Sequence, residues 1–129
     1  FYDGYPVSPG HALIIPKRHV ANYFDLTNHE REAMNVMLQY VKRKIDERFH
    51  PDGYNIGINV NEAAGQSIFH VHMHLIPRYK GDVEKPKGGV RGVIPNKQSY
   101  STKEKPYRKG FPVPARRGQK WDKEDDEKL

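Results

Sequence analysis

Apolar positions recur along this chain with two different periods, and each period predicts a different element. GHALIIPKRHV holds a short apolar run, Ala12 to Ile15, closed by Pro16, which has no amide to give a sheet ladder; a strand is expected there. Met34, Met37, Leu38, Val41 and Ile45 then recur at helical spacing, with Lys42, Arg43, Asp46 and Glu47 on the other face. Thr27 and Glu30, in T-x-x-E, predict a capping box at the start of this helix. Pro51-Asp52-Gly53 supplies turn chemistry, and YNIGINV predicts a second strand, Tyr54 to Val60. The small-residue turn NEAAGQS leads into FHVHMHL, where the alternation is strict. His70, His72 and His74 fall on one side, and Val71, Met73 and Leu75 on the other, the period of a half-buried strand. A helix would scatter those histidines around its circumference. The elements together predict an α+β fold: an antiparallel sheet half buried under one long helix.

Past Tyr79 the pattern gives way to Lys, Pro and Gly. Only Val90 to Ile94 looks able to pair or pack, so Lys87 to Pro95 is assigned a packing role. The segment 101–129 is polar and basic, with scattered Tyr107, Phe111 and Trp121. It is expected to be extended unless a partner surface holds it, and its closing DKEDDEKL to be solvated. The domain boundary is therefore drawn at 1–100, with 101–129 as a tail. The chain opens at Phe1 inside what reads as a strand, so an upstream segment is expected to precede it.

Composition narrows the classes. A chain of 129 residues has room for one domain with a modest core. With no cysteine, disulfides, thiolate metal sites and a cysteine nucleophile are excluded. There is no long apolar run and no signal-peptide pattern, which fits a cytoplasmic protein without membrane contact. The net charge of +6 is one-sided: residues 1–79 carry eight Lys/Arg against eight Asp/Glu, residues 80–129 fourteen against eight. A basic C-terminal part suits an anionic partner such as nucleic acid or polyphosphate; a solvated tail is the plainer reading.

Three histidines two residues apart on a strand face can converge on one ligand, since neighbours lie roughly 6.5–7 Å apart. Two chemistries compete for them. Neutral imidazoles could hold a metal ion. Alternatively, one ring attacks a substrate while its neighbours bind the charge that develops. The surroundings favour the second. Gly65 permits close backbone approach in the Glu62–Ser67 turn, whose consecutive amides could form an anion nest, and Ser67 adds a hydroxyl. Asn59 ends the neighbouring strand, and His11 follows Pro9-Gly10. No Asp or Glu is expected near the histidine face, Glu62 in the turn being the nearest, so a metal's carboxylate shell is missing.

HVHMHLI has the form H-φ-H-φ-H-φ-φ and resembles the signature of the histidine triad (HIT) superfamily of nucleotide hydrolases and transferases. GHALIIPKRHV, the NxNEAAGQS turn, and IPRYKGD followed by GGVRGVIP are similar to the bacterial and archaeal branch near the diadenosine polyphosphate hydrolases. Val71 stands where the uridylyltransferase branch carries proline, which sets that branch aside. The resemblance spans residues 1–100 and implies a HIT-like α+β fold, with a homodimer joining two sheets into one continuous layer.

It also implies roles. His72 would attack the α-phosphorus of a nucleotide to give a covalent nucleotidyl-histidine, which water then hydrolyses. His74 and His11 would line the phosphate oxygens, and His70 would fix the arrangement of the rings. Ser67 and the Gly65–Ser67 amides would hold the phosphate and leaving-group side, with Gln66 acting through its backbone. Asn59 would contact phosphate or ribose, Asp3 the ribose hydroxyls, and Phe1 would wall the base pocket. One ring nitrogen of the nucleophile must be pinned by an acceptor so that the other can attack; a backbone carbonyl beside the strand would serve.

The expected reaction is cleavage of a phosphoanhydride in a dinucleoside polyphosphate, releasing a nucleoside monophosphate. No tightly bound cofactor or metal is expected, and Mg²⁺ enters only as a companion of a polyphosphate substrate. A nucleoside phosphoramidase, an enzyme removing adenylates from nucleic acid ends, and a nucleotide-binding scaffold without catalysis stand as alternatives.

Overall fold

The computed structural model describes residues 1–99. Its elements are β1 (Ala12–Ile14), α1 (Asn28–Phe49), β2 (Gly53–Ile58) and β3 (Met73–Arg78), with short 3₁₀ turns between and after them. The three strands form an antiparallel sheet in the order β1-β3-β2. Ala12 pairs with Leu75 and Leu13 with His74 on one side of β3; Gly57 pairs with His74 and Ile58 with Met73 on the other. The N-terminal residues extend the sheet beyond β1: Tyr2 bridges Ala12, the Leu13 amide donates to the Phe1 carbonyl at 2.8 Å, and the Asp3 amide to the His11 carbonyl at 2.9 Å.

The helix begins as its sequence predicts. The Thr27 hydroxyl accepts from the Glu30 amide at 3.1 Å, and the Glu30 carboxylate accepts from the Thr27 amide at 2.9 Å, which satisfies two otherwise orphaned donors. Glu30 is also clamped by Arg18, with 2.8 Å between Nη2 and Oε1, and these bonds hold its carboxyl down at about 2. Met34 and Ile45 are buried against Ala12, Ile14, Val20, Leu26, Val71 and Leu75, with Leu38 and Val41 at the margin. Gly10 makes this packing possible. Its φ is +89°, and a Cβ there would stand 3.0 Å from the Phe49 ring.

Four expectations are corrected. Met37 is half exposed and lies beside Ile15 and Pro16 at the rim of a second recess, because α1 presents only a narrow stripe to a three-stranded sheet. The second strand stops at Ile58, two residues early. The ladder of β3 starts at Met73, so His70 lies at a bend and His72 on an irregular lead-in before it. Val90 to Ile94 does not pair or pack inward: Gly89–Val93 is a 3₁₀ turn, and Val90, Val93 and Ile94 are exposed. The segment 101–129 lies outside the described residues.

Candidate active site

On the sheet face away from α1, a cavity of about 550 Å³ gathers Phe1, Asp3, His11, Asn59, Gly65, Ser67, His70, His72 and His74. Nine of the ten residues expected from the sequence therefore meet in one place. Their convergence follows from strand alternation. His11, Leu13 and Ile15 point into the cavity, while Ala12 and Ile14 point into the core. Phe1, Asp3, Tyr5 and Val7 continue the same odd-numbered wall.

The lead-in that carries His70 and His72 has other ties in place of ladder bonds. The Val71 amide donates to the Val20 carbonyl at 2.7 Å. His70 Nε2 donates to the Pro16 carbonyl at 2.9 Å, and His70 Nδ1 faces His19 Nδ1 at 3.1 Å. His72 Nδ1 donates to the His70 carbonyl at 2.8 Å. A carbonyl only accepts, so the His72 proton is fixed on Nδ1 and the Nε2 lone pair is left unprotonated.

The second pair of rings is ordered from its buried end. The Val7 amide donates to His11 Nδ1 at 3.1 Å, so the neutral ring carries its proton on Nε2. That proton is shared with His74 Nδ1 at 2.9 Å, which leaves His74 with its own proton on Nε2. Burial lowers the proton affinity of His11, with Asp3 partly opposing it; His74 is lowered by burial and by the neighbouring His11 and His72. Both shifts favour the neutral rings. His74 and His72 lie 5.2 Å apart between ring centroids, so a donor and an open lone pair border the same space.

Asp3 corrects the expectation that no carboxylate stands on this face. Its Oδ1 accepts from the Tyr5 amide at 2.8 Å, and its Oδ2 lies 3.5 Å from His11 Nε2. The reversal at residues 4–10 delivers it there, which no local period reveals.

The turn also differs from its expected arrangement. The Gly65 amide donates to the Glu62 carbonyl at 2.9 Å and the Gln66 amide to the Asn61 carbonyl at 3.1 Å, so neither is available as an anion nest. Among the described residues, the Ser67 amide and hydroxyl have no protein partner. Gln66 is buried outside the cavity, and its side chain is the working part. It accepts from the Asn61 amide at 2.9 Å and donates to the Ala21 and Ile68 carbonyls at 2.7 and 3.2 Å. It shapes the turn without reaching a ligand.

Asp3, His11 and His74 offer ligand atoms within 4.8 Å of one another, so a metal ion has to be considered. The donor set does not fit one. A neutral imidazole binding metal through Nε2 must carry its proton on Nδ1, and at His11 that position already receives the Val7 N–H. Two hydrogens would then occupy one 3.1 Å gap.

Comparison with known proteins gives concordant results. The HIT domain family model matches residues 1–81. "Protein hit" of Bacillus subtilis is 43% identical over 83 residues, 64% of this chain and 57% of that protein. A bis(5'-adenosyl)-triphosphatase of Dictyostelium discoideum is 42% identical over 79 residues, 61% of this chain and 53% of that protein. Among solved structures, a Zn-bound histidine triad family protein from Mycobacterium smegmatis superimposes with a TM-score of 0.58 at 39% identity, covering 63% of this chain and 59% of that one. The chain thus spans little more than half the length of these curated relatives. With the family model matching well over half of the chain and the triad lining a single cavity, this chain belongs to the HIT family.

Proposed function

We propose that the chain is a nucleotide hydrolase that cleaves a phosphoanhydride at the α-phosphate of a dinucleoside polyphosphate through a covalent intermediate on His72. The observation that carries this reading is the 2.8 Å bond from His72 Nδ1 to the His70 carbonyl. It leaves Nε2 as a nucleophile beside a ring, His74, that can only donate.

In this reading His72 Nε2 attacks the α-phosphorus. A P–N bond forms, and the bond from phosphorus to the bridging oxygen breaks, its electron pair leaving with the polyphosphate. The positive charge that appears on His72 is stabilised through its Nδ1–H and the His70 carbonyl. His74 Nε2–H and the Ser67 amide and hydroxyl meet the non-bridging oxygens, whose charge builds up in the transition state. Water then attacks the same phosphorus, the P–N electrons return to Nε2, and the nucleoside monophosphate departs with a proton lost to solvent. A polyphosphate leaves as a stabilised anion, so the first step needs no acid, whereas an amine leaving group would. The Dictyostelium relative is named for a reaction of this class.

Phe1, Leu13 and Ile15 are assigned to the base, Asp3 and Asn59 to the ribose and phosphate. No tightly bound metal takes part; Mg²⁺ accompanies the polyphosphate only. A homodimer continuing the sheet past β2 belongs to the same reading, supported by half-exposed Ile56 on that edge strand and Met37 and Tyr40 on α1. The test is turnover on a dinucleoside polyphosphate, a nucleoside phosphoramidate and adenylated DNA, side by side. Preference for the first, with nucleotide trapped on His72, is expected; no turnover of any of the three would overturn the reading.

A further inference from the structure

We infer that Asn61 is a further substrate-binding residue: its side-chain amide binds the departing polyphosphate, and the turn strains its backbone into a conformation natural to glycine in order to present it. The inference rests on the hydrolase reading for the identity of the ligand, though not for the strain.

Asn61 has φ 70° and ψ 165°. That region is essentially reserved for glycine, because a Cβ crowds the backbone there, and any other residue is strained in it. His50, the other non-glycine at positive φ among the described residues, lies at φ 51° and ψ 53°, inside the ordinary left-handed well. The turn imposes the conformation from both sides of Asn61. Its amide donates to Gln66 Oε1 at 2.9 Å, and its carbonyl accepts from the Ala64 and Gln66 amides, each at 3.1 Å. Gln66 is buried and fixed in turn by the Ala21 and Ile68 carbonyls. A glycine would make the same three backbone bonds without strain, so the bonds do not account for the side chain. Packing does not account for it either. Asn61 is exposed, and its carboxamide has no hydrogen-bond partner among the described residues. Strain retained beside a ligand cavity points to a task for the group that it presents. The position names the task. Asn59 lies two residues before Asn61 and lines the cavity, as do Gly65 and Ser67 after it. Asn61 therefore stands on the turn whose Ser67 meets the phosphate. A carboxamide offers two N–H donors and no charge. Such donors suit the oxygens of phosphates beyond the α-phosphorus, and they hold the product less firmly than a cation would.

The test uses the full 129-residue chain as wild type, Asn61→Gly and Asn61→Asp. Asn61→Gly releases the strain and removes the carboxamide; Asn61→Asp keeps the size and replaces the donor with a negative charge. Without ligand, Asn61→Gly is expected to melt about 4–8 °C above wild type, the shift that release of such strain gives in a domain of this size. Kinetics compare a dinucleoside polyphosphate with the p-nitrophenyl ester of the same nucleoside monophosphate, which reacts at the same phosphorus but carries no further phosphates. The ratio of kcat/KM values, polyphosphate over ester, should fall about tenfold in Asn61→Gly, the worth of one hydrogen bond to a charged group. It should fall further in Asn61→Asp, and less so at high salt. A Tm of Asn61→Gly at or below that of wild type overturns the inference. A ratio equal to that of wild type overturns it too, since a merely structural turn would affect both substrates alike. Should wild type hydrolyse neither substrate, the hydrolase reading fails, and affinities for a methylene-bridged dinucleoside polyphosphate and for the nucleoside monophosphate decide the role of Asn61. A loss in Asn61→Gly confined to the first supports that role, and equal changes for both overturn it.

Discussion

His11 Nε2 and His74 Nδ1 stand 2.9 Å apart, so two imidazoles from neighbouring strands share one proton across the wall of the cavity. The arrangement has a consequence for stability. Both rings bind protons less readily in the fold than the ordinary 6.5, chiefly through burial. On acidification the unfolded chain takes up these protons first. Stability is therefore complete above about 6.5 and is lost as the pH falls below it, down to the lowered native values. Glu30 and Asp82, whose carboxyls are depressed by Arg18 and Arg78, contribute their own loss only further into acid. Thermal denaturation from about pH 8 to pH 5 should show a flat Tm that turns downward near 6.5. The turn should be shallower in His11→Asn; equal slopes would exclude the pair as its source.

His72→Ala should reduce turnover by several orders of magnitude, on the order of 10⁴-fold or more as for other lost nucleophiles, while nucleotide still binds. Rapid denaturation of a working reaction at alkaline pH, where a P–N bond survives, should yield a peptide carrying nucleotide on His72. Its absence under conditions of full turnover would count against covalent chemistry.

Gln66→Ala should destabilise the chain by about 1–3 kcal/mol, because a buried side chain and its three hydrogen bonds, to Asn61, Ala21 and Ile68, are lost. Denaturant titration measures this. The same variant should lower kcat more than it raises KM, since the loop moves and no ligand contact is removed. An unaltered midpoint would refute the structural role.

Asp3→Ala should collapse the preference for ribonucleotides over deoxyribonucleotides, read as the ratio of kcat/KM values, by about tenfold, the worth of one or two hydrogen bonds to a charged acceptor. A ratio that survives the substitution would assign the ribose elsewhere.

Dialysis against a chelator should leave kcat unchanged on a substrate that needs no Mg²⁺, with no stoichiometric metal by elemental analysis. Stoichiometric zinc, lost together with activity, would restore the reading of the histidines as metal ligands.

What could be read in advance follows from how each feature is encoded. The helix was legible from Thr27 to Ile45 because capping and 3.6-residue periodicity are local, and the triad because a period of two puts His70, His72 and His74 on one face. Leu13 and Ile15 obey that same period beside His11, but in a run of four apolar residues the alternation is hidden because both faces of β1 are covered by apolar side chains. Asp3, Tyr5 and Val7 reach the cavity through a chain reversal, and His19 meets His70 across 51 residues of sequence; neither has a local signature. Gln66 lies in the turn that the sequence predicts, but its side chain is structural and its amide is spent on the Asn61 carbonyl. Val90 to Ile94 has the composition of a strand, yet glycines at 88, 89 and 92 fold it tightly around Gln98, where a Cβ on Gly88 would meet the Gln98 carbonyl oxygen at 2.1 Å.

His72, the proposed nucleophile, precedes the first rung of β3 by one residue. Bond formation with phosphorus must close a gap that begins at about 3–3.5 Å, the separation of atoms poised to react. His74, clamped between Leu13 and Gly57, cannot follow such a movement. His72 stands outside the ladder, and the acceptor for its Nδ1 proton lies two residues away on a lead-in tied to the Val20 carbonyl through the Val71 amide. Ring and acceptor thus belong to one short segment, so the tautomer proposed for attack does not depend on the register of the sheet.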